Sequence, residues 1–271
     1  MRPDGSERVT PVTTTYTSYN LIARDLPRSL DRIASQPVVA RESEYYLSRI
    51  SEIKSVDEFM ADTRLFNYAM KAHGLEDMSY AKAFMRKVLT EGVDNEDAFA
   101  NKLADSKYKQ FAETYNFARH GETATIFTKA QQGTVDKYHR LSLEQEAGED
   151  NTGVRLALYF QRNAPEITSA YGILADTALY QVVQTALGFS SELAGADIDR
   201  QADMINARID IEDFKDPEKL DSFMQRFTAL WEIENPSFSS VDSSLLLSSS
   251  SGFGISPELM LTINNLKLGG H

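Results

Sequence analysis

Two aspartates in this 271-residue chain, Asp62 and Asp176, recur in the same setting, each inside an Ala-Asp-Thr triplet on a helical stretch. A symmetric pair of carboxylates is raw material for general acid–base catalysis, provided both lie within hydrogen-bond reach of one reacting atom. The plainer reading is a polar contact, made twice, between a helix and its neighbour. The four histidines, His73, His120, His139 and His271, offer less. None stands in a His-x-x-His or His-Glu-x-x-His arrangement, so no metal site is expected. His73 precedes a helix-ending glycine and reads as a surface or helix-capping side chain. Glu149-Asp150-Asn151 lacks the alternating ligands and closing glutamate of a calcium loop, and reads as a turn ahead of a helix. No Gly-x-Ser-x-Gly elbow, phosphate loop or dinucleotide fingerprint occurs. The residues predict no catalytic, cofactor-binding or metal site; an enzyme working through Asp62 and Asp176 is the remote alternative.

A repeat positions the two aspartates. Shifting the sequence by 114 places Tyr45–Leu75 on Tyr159–Phe189 without a gap, and ten of 31 positions are identical. Chance gives roughly two identities in such a window, so a duplicated structural unit is expected. The identities include Tyr45/Tyr159, Ser55/Ser169, Asp62/Asp176 and Gly74/Gly188. In the first copy Ser55-Val56-Asp57-Glu58 is a capping box, in which the serine and the glutamate each satisfy a free backbone amide. Phe59, Met60, Phe66, Ala69 and Met70 then build one apolar face, and Gly74 stops the helix. The second copy starts more weakly, with Gly172 in place of the glutamate, and stops at Gly188. Tyr45, Tyr46, Phe59, Phe66, Tyr159 and Phe160 fall at helical spacing and read as core.

The rest of the chain follows the same period. Helix is expected from about Leu21, interrupted at Pro37, then resumed with Val38, Tyr45 and Tyr46 on the apolar side. Tyr80, Phe84 and Val88 describe a helix ending by Gly92, and Asp94 or Asn95 caps a further one carrying Phe99 and Leu103. Gly121–Gly133 connects the copies, Thr134–Glu146 is helical, and Gly148–Gly153 is a turn. Asp216-Pro217-Glu218 opens another helix, with proline at its first position. Its Asp221-Ser222 and Phe227 echo Asp105-Ser106 and Phe111 at an offset of 116. No strand alternation is evident. The expected fold is all-α, two related helical units from an internal duplication, with extended termini. The expected divisions are a flexible segment at 1–19, a first unit at 20–120, a second at 121–236, and a Ser-rich tether with a short apolar helix at 237–271.

Composition narrows the function classes. Hydrophobic residues make up 42% and charged residues 25%, which is globular material. A net charge of −12 disfavours nucleic acid and anionic membrane surfaces as partners. The absence of cysteine removes disulfides, thiolate metal sites and cysteine nucleophiles. No run approaches the ~18 apolar residues of a membrane span, and the amino terminus lacks the apolar core of a secretory signal. Nine serines in the fifteen residues from 237 to 251 suggest a tether. Beyond them Leu259, Leu261, Ile263, Leu266 and Leu268 form an apolar segment, which either packs back on the body or binds a protein partner as a helix in a groove.

Two stretches carry a family resemblance: Arg32-Ile33-Ala34-Ser35-Gln36-Pro37-Val38-Val39-Ala40-Arg41-Glu42 through Tyr46, and Asn151-Thr152-Gly153-Val154-Arg155 through Leu179. With Gly254-Ile255-Ser256 onward, they resemble a bacterial domain-of-unknown-function family (family 1217) of alphaproteobacteria, often found beside flagellar genes. The resemblance runs from about Tyr16 and brings no catalytic motif with it. It implies a structural, assembly or export-associated protein of the flagellum, exported without a cleaved signal, with flagellar components as partners. A cytosolic adaptor or export chaperone gripping a client through the tail is the alternative.

Overall fold

Short polar side chains set the helix boundaries. The structure, a computed structural model, describes residues 13–190 and 195–236, and among them every regular element is helical. The first four are α1 (Thr15–Arg24), α2 (Leu26–Ala34), α3 (Pro37–Ile50) and α4 (Val56–Ala61). Next come α5 (Thr63–Ala72), α6 (Lys82–Glu91), α7 (Ser106–Thr114), α8 (Phe117–His120) and the long α9 (Gln132–Asp150). The last five are α10 (Thr152–Asn163), α11 (Ala170–Leu174), α12 (Thr177–Leu187), α13 (Ile198–Asn206) and α14 (Pro217–Glu234). Thr14, Asp25, Ser55, Asp62, Asp105, Asn116, Asn151, Ser169, Asp176 and Asp197 each accept a hydrogen bond from an amide of the helix they precede. Each thereby satisfies a donor that the first turn leaves free.

Several sequence expectations need correction. Helix starts at Thr15 rather than near Leu21, because Thr15 is tied down: its amide and Oγ1 both donate to Glu232 Oε2, at 2.9 and 2.5 Å. Val38 is 58% exposed, and Val39, Ser43, Tyr46 and Ile50 take the buried stripe instead, at spacings of four, three and four. Asp62 and Asp176 are not mid-helix. Each sits between two helices and caps the second. Tyr80 lies outside α6 and is exposed, and neither Asp94 nor Asn95 caps the element carrying Phe99: Asn95 accepts the Asp97 amide in a turn, and the 3-10 turn at Phe99–Lys102 starts after Ala98 without a side-chain cap. α9 continues through Gly148 to Asp150, so the expected turn reduces to the single extended residue Asn151. In α14 the capping aspartate is Asp216, and Asp221 lies inside the helix, so the offset of 116 holds for buried Phe111 and Phe227 but not for the caps.

Two hydrophobic cores form. The first gathers Ile33 to Leu143, with Tyr46, Phe59, Phe66, Phe111 and Tyr115 among its largest members. The second gathers Val154 to Trp231, with Phe160, Phe214 and Phe227, and takes Tyr19 from α1. α9 packs on α2, α3 and α5 through Val135, Tyr138 and Leu143, and also packs on α10. Its far end meets α10 at a charge cluster centred on buried Glu144. Glu144, 1% exposed, accepts from Arg140 Nε at 3.2 Å and bidentately from Arg162 at 2.7 and 3.0 Å. In the second core, α10 approaches α14 and α1 so closely that a Cβ on Gly153 would stand 2.3 Å from the Trp231 ring and 2.9 Å from Thr15. Only glycine fits there. The two cores belong to one body, Thr13–Glu234.

Candidate functional site

The two aspartates are built into matching local frames. Asp62 Oδ1 accepts the Leu65 amide at 3.0 Å, and Oδ2 accepts the Tyr45 hydroxyl at 2.8 Å. Asp176 Oδ1 accepts the amides of Ala178 and Leu179 at 2.9 and 3.1 Å, and Oδ2 accepts the Tyr159 hydroxyl at 2.5 Å. Seven residues before each aspartate, Ser55 and Ser169 cap the preceding short helix, at 3.2 and 3.3 Å. Twelve residues after, Gly74 and Gly188 turn into positive φ (68° and 64°). There Leu75 N–H reaches Met70 O and Phe189 N–H reaches Gln184 O, the wide bond of a Schellman stop.

The neighbours of the two frames differ. Asp62 has Arg49 Nε at 3.9 Å, from within the same stretch. Asp176 has Lys107 Nζ at 3.4 Å, from α7, and Gln110 of that helix donates to nearby Glu166 at 3.2 Å. Burial works to raise the Asp176 carboxyl, but the bonds from Tyr159, the Leu179 amide and Lys107 outweigh it and hold it below the ordinary carboxylate range. Burial and the facing carboxylate push the Tyr159 phenol well up. Among the described residues, no hydrogen bond joins Asp62 to Asp176. Each carboxylate is occupied as a helix cap, and the dyad needed for acid–base work is not assembled.

His73 holds the helix-capping position expected of it, at the end of α5, but it is buried rather than on the surface. Nδ1 lies 2.9 Å from the Ala69 carbonyl and Nε2 3.2 Å from Thr114 Oγ1. Burial, with Lys137 nearby, pushes the imidazole down to about 3. It is neutral at pH 7, so Nδ1 donates to the carbonyl and Nε2 accepts. The five apolar tail residues, Leu259, Leu261, Ile263, Leu266 and Leu268, lie outside the described residues.

A cleft of about 670 Å³ opens beside the first frame, between α3, α5, the turn after α5 and α9. Its inner wall is a stack of tyrosines. Tyr68 lies 4.6 Å from Tyr46 and 4.0 Å from Tyr138, nearly parallel to both. The Tyr68 hydroxyl meets Ser43 Oγ at 2.9 Å, and Ser43 in turn meets His139 Nε2 at 3.0 Å. Burial raises the Tyr68 and Tyr138 phenols, so both are neutral donors at pH 7. On the rim, Arg64 grips Glu42 with two bonds of 2.9 Å and stacks 3.9 Å from the Tyr45 ring. The hydrogen bond from Arg64 holds the Glu42 carboxyl below its usual range. Sequence reasoning missed this cleft. The available signal was Thr63, Asn67 and Lys71 at steps of four, a polar ladder opposite the apolar face of α5.

An all-helical body with two cores, twin Tyr–Asp caps and one tyrosine-walled cleft defines the class of protein. The chain belongs to the family described as protein of unknown function (DUF1217), whose model matches residues 72–220. It is also similar, at 53% identity, to a protein from Agrobacterium tumefaciens known from an X-ray crystal structure. The two superpose with a TM-score of 0.77 over 84% of this chain and 98% of that one. No curated protein matches the chain. No helix among the described residues is long and apolar enough to cross a membrane.

Proposed function

We propose that the protein is a non-enzymatic structural or assembly-associated component of the bacterial flagellum, built from two helical units that arose by internal duplication. The observation that carries the non-enzymatic part is the occupation of Asp62 and Asp176: both oxygens of each carboxylate serve a helix amide or a tyrosine hydroxyl. Matching caps, matching Tyr–Asp bonds and matching glycine stops at one offset support the duplication. The flagellar part rests on the family resemblance carried by Arg32–Tyr46 and Asn151–Leu179. Partners are flagellar proteins, met through the surface of the body and through the apolar tail at Leu259–Leu268.

Immunoblots of sheared filaments and purified basal bodies test this directly, and the protein is expected in one of those fractions. Confinement to the cytosol replaces the exported component with the adaptor or chaperone reading. A deletion strain that swims and assembles filaments normally removes the flagellar reading altogether. The enzyme alternative predicts that Asp176→Asn abolishes an activity at unchanged stability; the capping role predicts a change in stability alone.

A further inference from the structure

We infer that α1 is an exchangeable arm, and that the groove it fills on the second core accepts the α1 of a second copy of this chain. The inference goes beyond the proposed function, and only the third of its three observations rests on the duplication. First, α1 completes a site built from residues far away in sequence. It lies against α10 and α14. Thr15 donates through its amide and Oγ1 to Glu232, and its Oγ1 accepts from Asn151 Nδ2 at 2.9 Å. The bare α-carbon of Gly153 lets Thr15 and the Trp231 ring approach the floor of the groove. One turn on, Tyr19 enters the second core and is 2% exposed. The groove therefore reads a helix that begins on a hydroxyl residue and carries an aromatic ring four positions later. α1 itself is the segment shown to meet that requirement, so the partner of matching chemistry is another copy of the chain.

Second, α1 is a separate piece on a short hinge. Asp25 alone parts it from α2, and its φ of −132° and ψ of 61° lie outside the helical range. Beyond the hinge, Leu26, Leu30 and Ile33 of α2 pack on the first core. Of the ten residues of α1, Thr15 and Tyr19 are the buried ones. A helix of that length is marginal by itself, so α1 opens at lower cost than the helices whose faces make the cores. Once open, it makes the same contacts in the groove of another chain as in its own.

Third, the chain already performs this exchange within itself. At the fixed offset, α1 falls on positions 129–138, where α9 begins. α9 packs on α3 and α5, and its early residues Val135 and Tyr138 belong to the first core, while Tyr19 of α1 belongs to the second. Each half is thus completed by the helix that leads the other.

The test is complementation between two full-length variants. Tyr19→Ala keeps the groove and spoils the arm; Glu232→Lys keeps the arm and sets a cation against its amino-terminal end. Each alone is expected to sediment as a monomer, and an equimolar mixture is expected to pair one to one and double the sedimenting mass. A mixture that stays monomeric overturns the inference. If Tyr19→Ala does not fold, cross-linking decides. The chain has no cysteine, so Thr13→Cys and Ile233→Cys place single thiols at exposed positions beside the Thr15–Glu232 contact and leave that contact intact. Chains of the two kinds, mixed in mild urea and returned to buffer, are expected to be joined by a short bismaleimide, with at least tenfold the yield of Thr13→Cys mixed with Tyr80→Cys. Equal yields overturn the inference. Neither readout involves the flagellum, so failure here leaves the flagellar reading standing, and a normal swimmer lacking the gene leaves the arm standing.

Discussion

The frames around Tyr45–Asp62 and Tyr159–Asp176 share caps, hydroxyl bonds and glycine stops, yet they do different things with their surfaces. In the second half, α10 and α12 are covered by α14 and α1, and a neighbouring helix supplies Lys107 to Asp176. In the first half, Asp62 meets its local Arg49 at 3.9 Å, and the flank of α5 opens into the cleft. The difference teaches that the repeated residues are framework. They determine where helices begin and end, while the residues between them decide whether a face becomes core or surface.

The sharpest way to break the comparison is to cut what joins the halves. Glu144 sits in α9, whose buried apolar residues Val135, Tyr138 and Leu143 belong to the first core, and it pairs with Arg162 of α10, a helix of the second. Glu144→Ala leaves the buried Arg140 without its carboxylate, while Arg162, whose side chain is 37% exposed, keeps contact with water. The expected loss in urea unfolding is about 3 kcal/mol, with both cores still melting in one transition. A loss under about 1 kcal/mol would mean that the halves are not fastened there.

The next largest effect comes from a position where the copies differ in kind, His73 against Leu187. The folded imidazole is depressed to about 3, whereas the unfolded chain titrates near the ordinary histidine value of 6.5. Below pH 6.5 the unfolded chain therefore binds a proton that the folded one refuses, so stability falls as pH drops and continues to fall down to about pH 3. The contribution amounts to about 2 kcal/mol by pH 5, at roughly 1.4 kcal/mol per pH unit. His73→Leu, which imports the residue of the second copy, is expected to remove that slope. Denaturation of both proteins at pH 7 and pH 5 checks it; parallel losses on acidification would rule out His73 as the source.

Much of this fold was legible in the sequence, for local reasons. Ser55, Asp216-Pro217, Gly74 and Gly188 announce helix ends because caps and positive-φ glycines act within four or five residues. The misreadings came from tertiary contacts. Thr15 begins a helix because Glu232, 217 residues away, accepts its amide and hydroxyl, and no local pattern carries that information. Asp62 looked like a mid-helix residue because the apolar period runs on from Phe59 to Phe66 across the break. Capping strength outweighed continuity, since Asp62 serves the Leu65 amide and the Tyr45 hydroxyl at once. The cleft is only half legible. The ladder on α5 can be read directly, but its wall joins Tyr68 to Tyr138, 70 positions on, through packing that periodicity does not encode.

The finest comparison is between the two caps themselves. Replacing a capping aspartate with alanine costs about 0.5–2 kcal/mol, because an amide of the first turn loses its acceptor. Asp62→Ala is expected toward the low end, since its frame lies on an open face and its ion partner among the described residues stands at 3.9 Å. Asp176→Ala is expected toward the high end. It strips two amides rather than one, leaves the Tyr159 hydroxyl without its acceptor, and frees Lys107 from the contact that links α7 to the second half. A double-mutant cycle of Asp176→Ala with Lys107→Met isolates that last link, and a coupling of about 0.5 kcal/mol is expected for a pair still partly open to water. Equal losses at the two aspartates would mean that Lys107 adds nothing and that both caps act locally. The asymmetry between the halves would then rest on the cleft and the two cores alone.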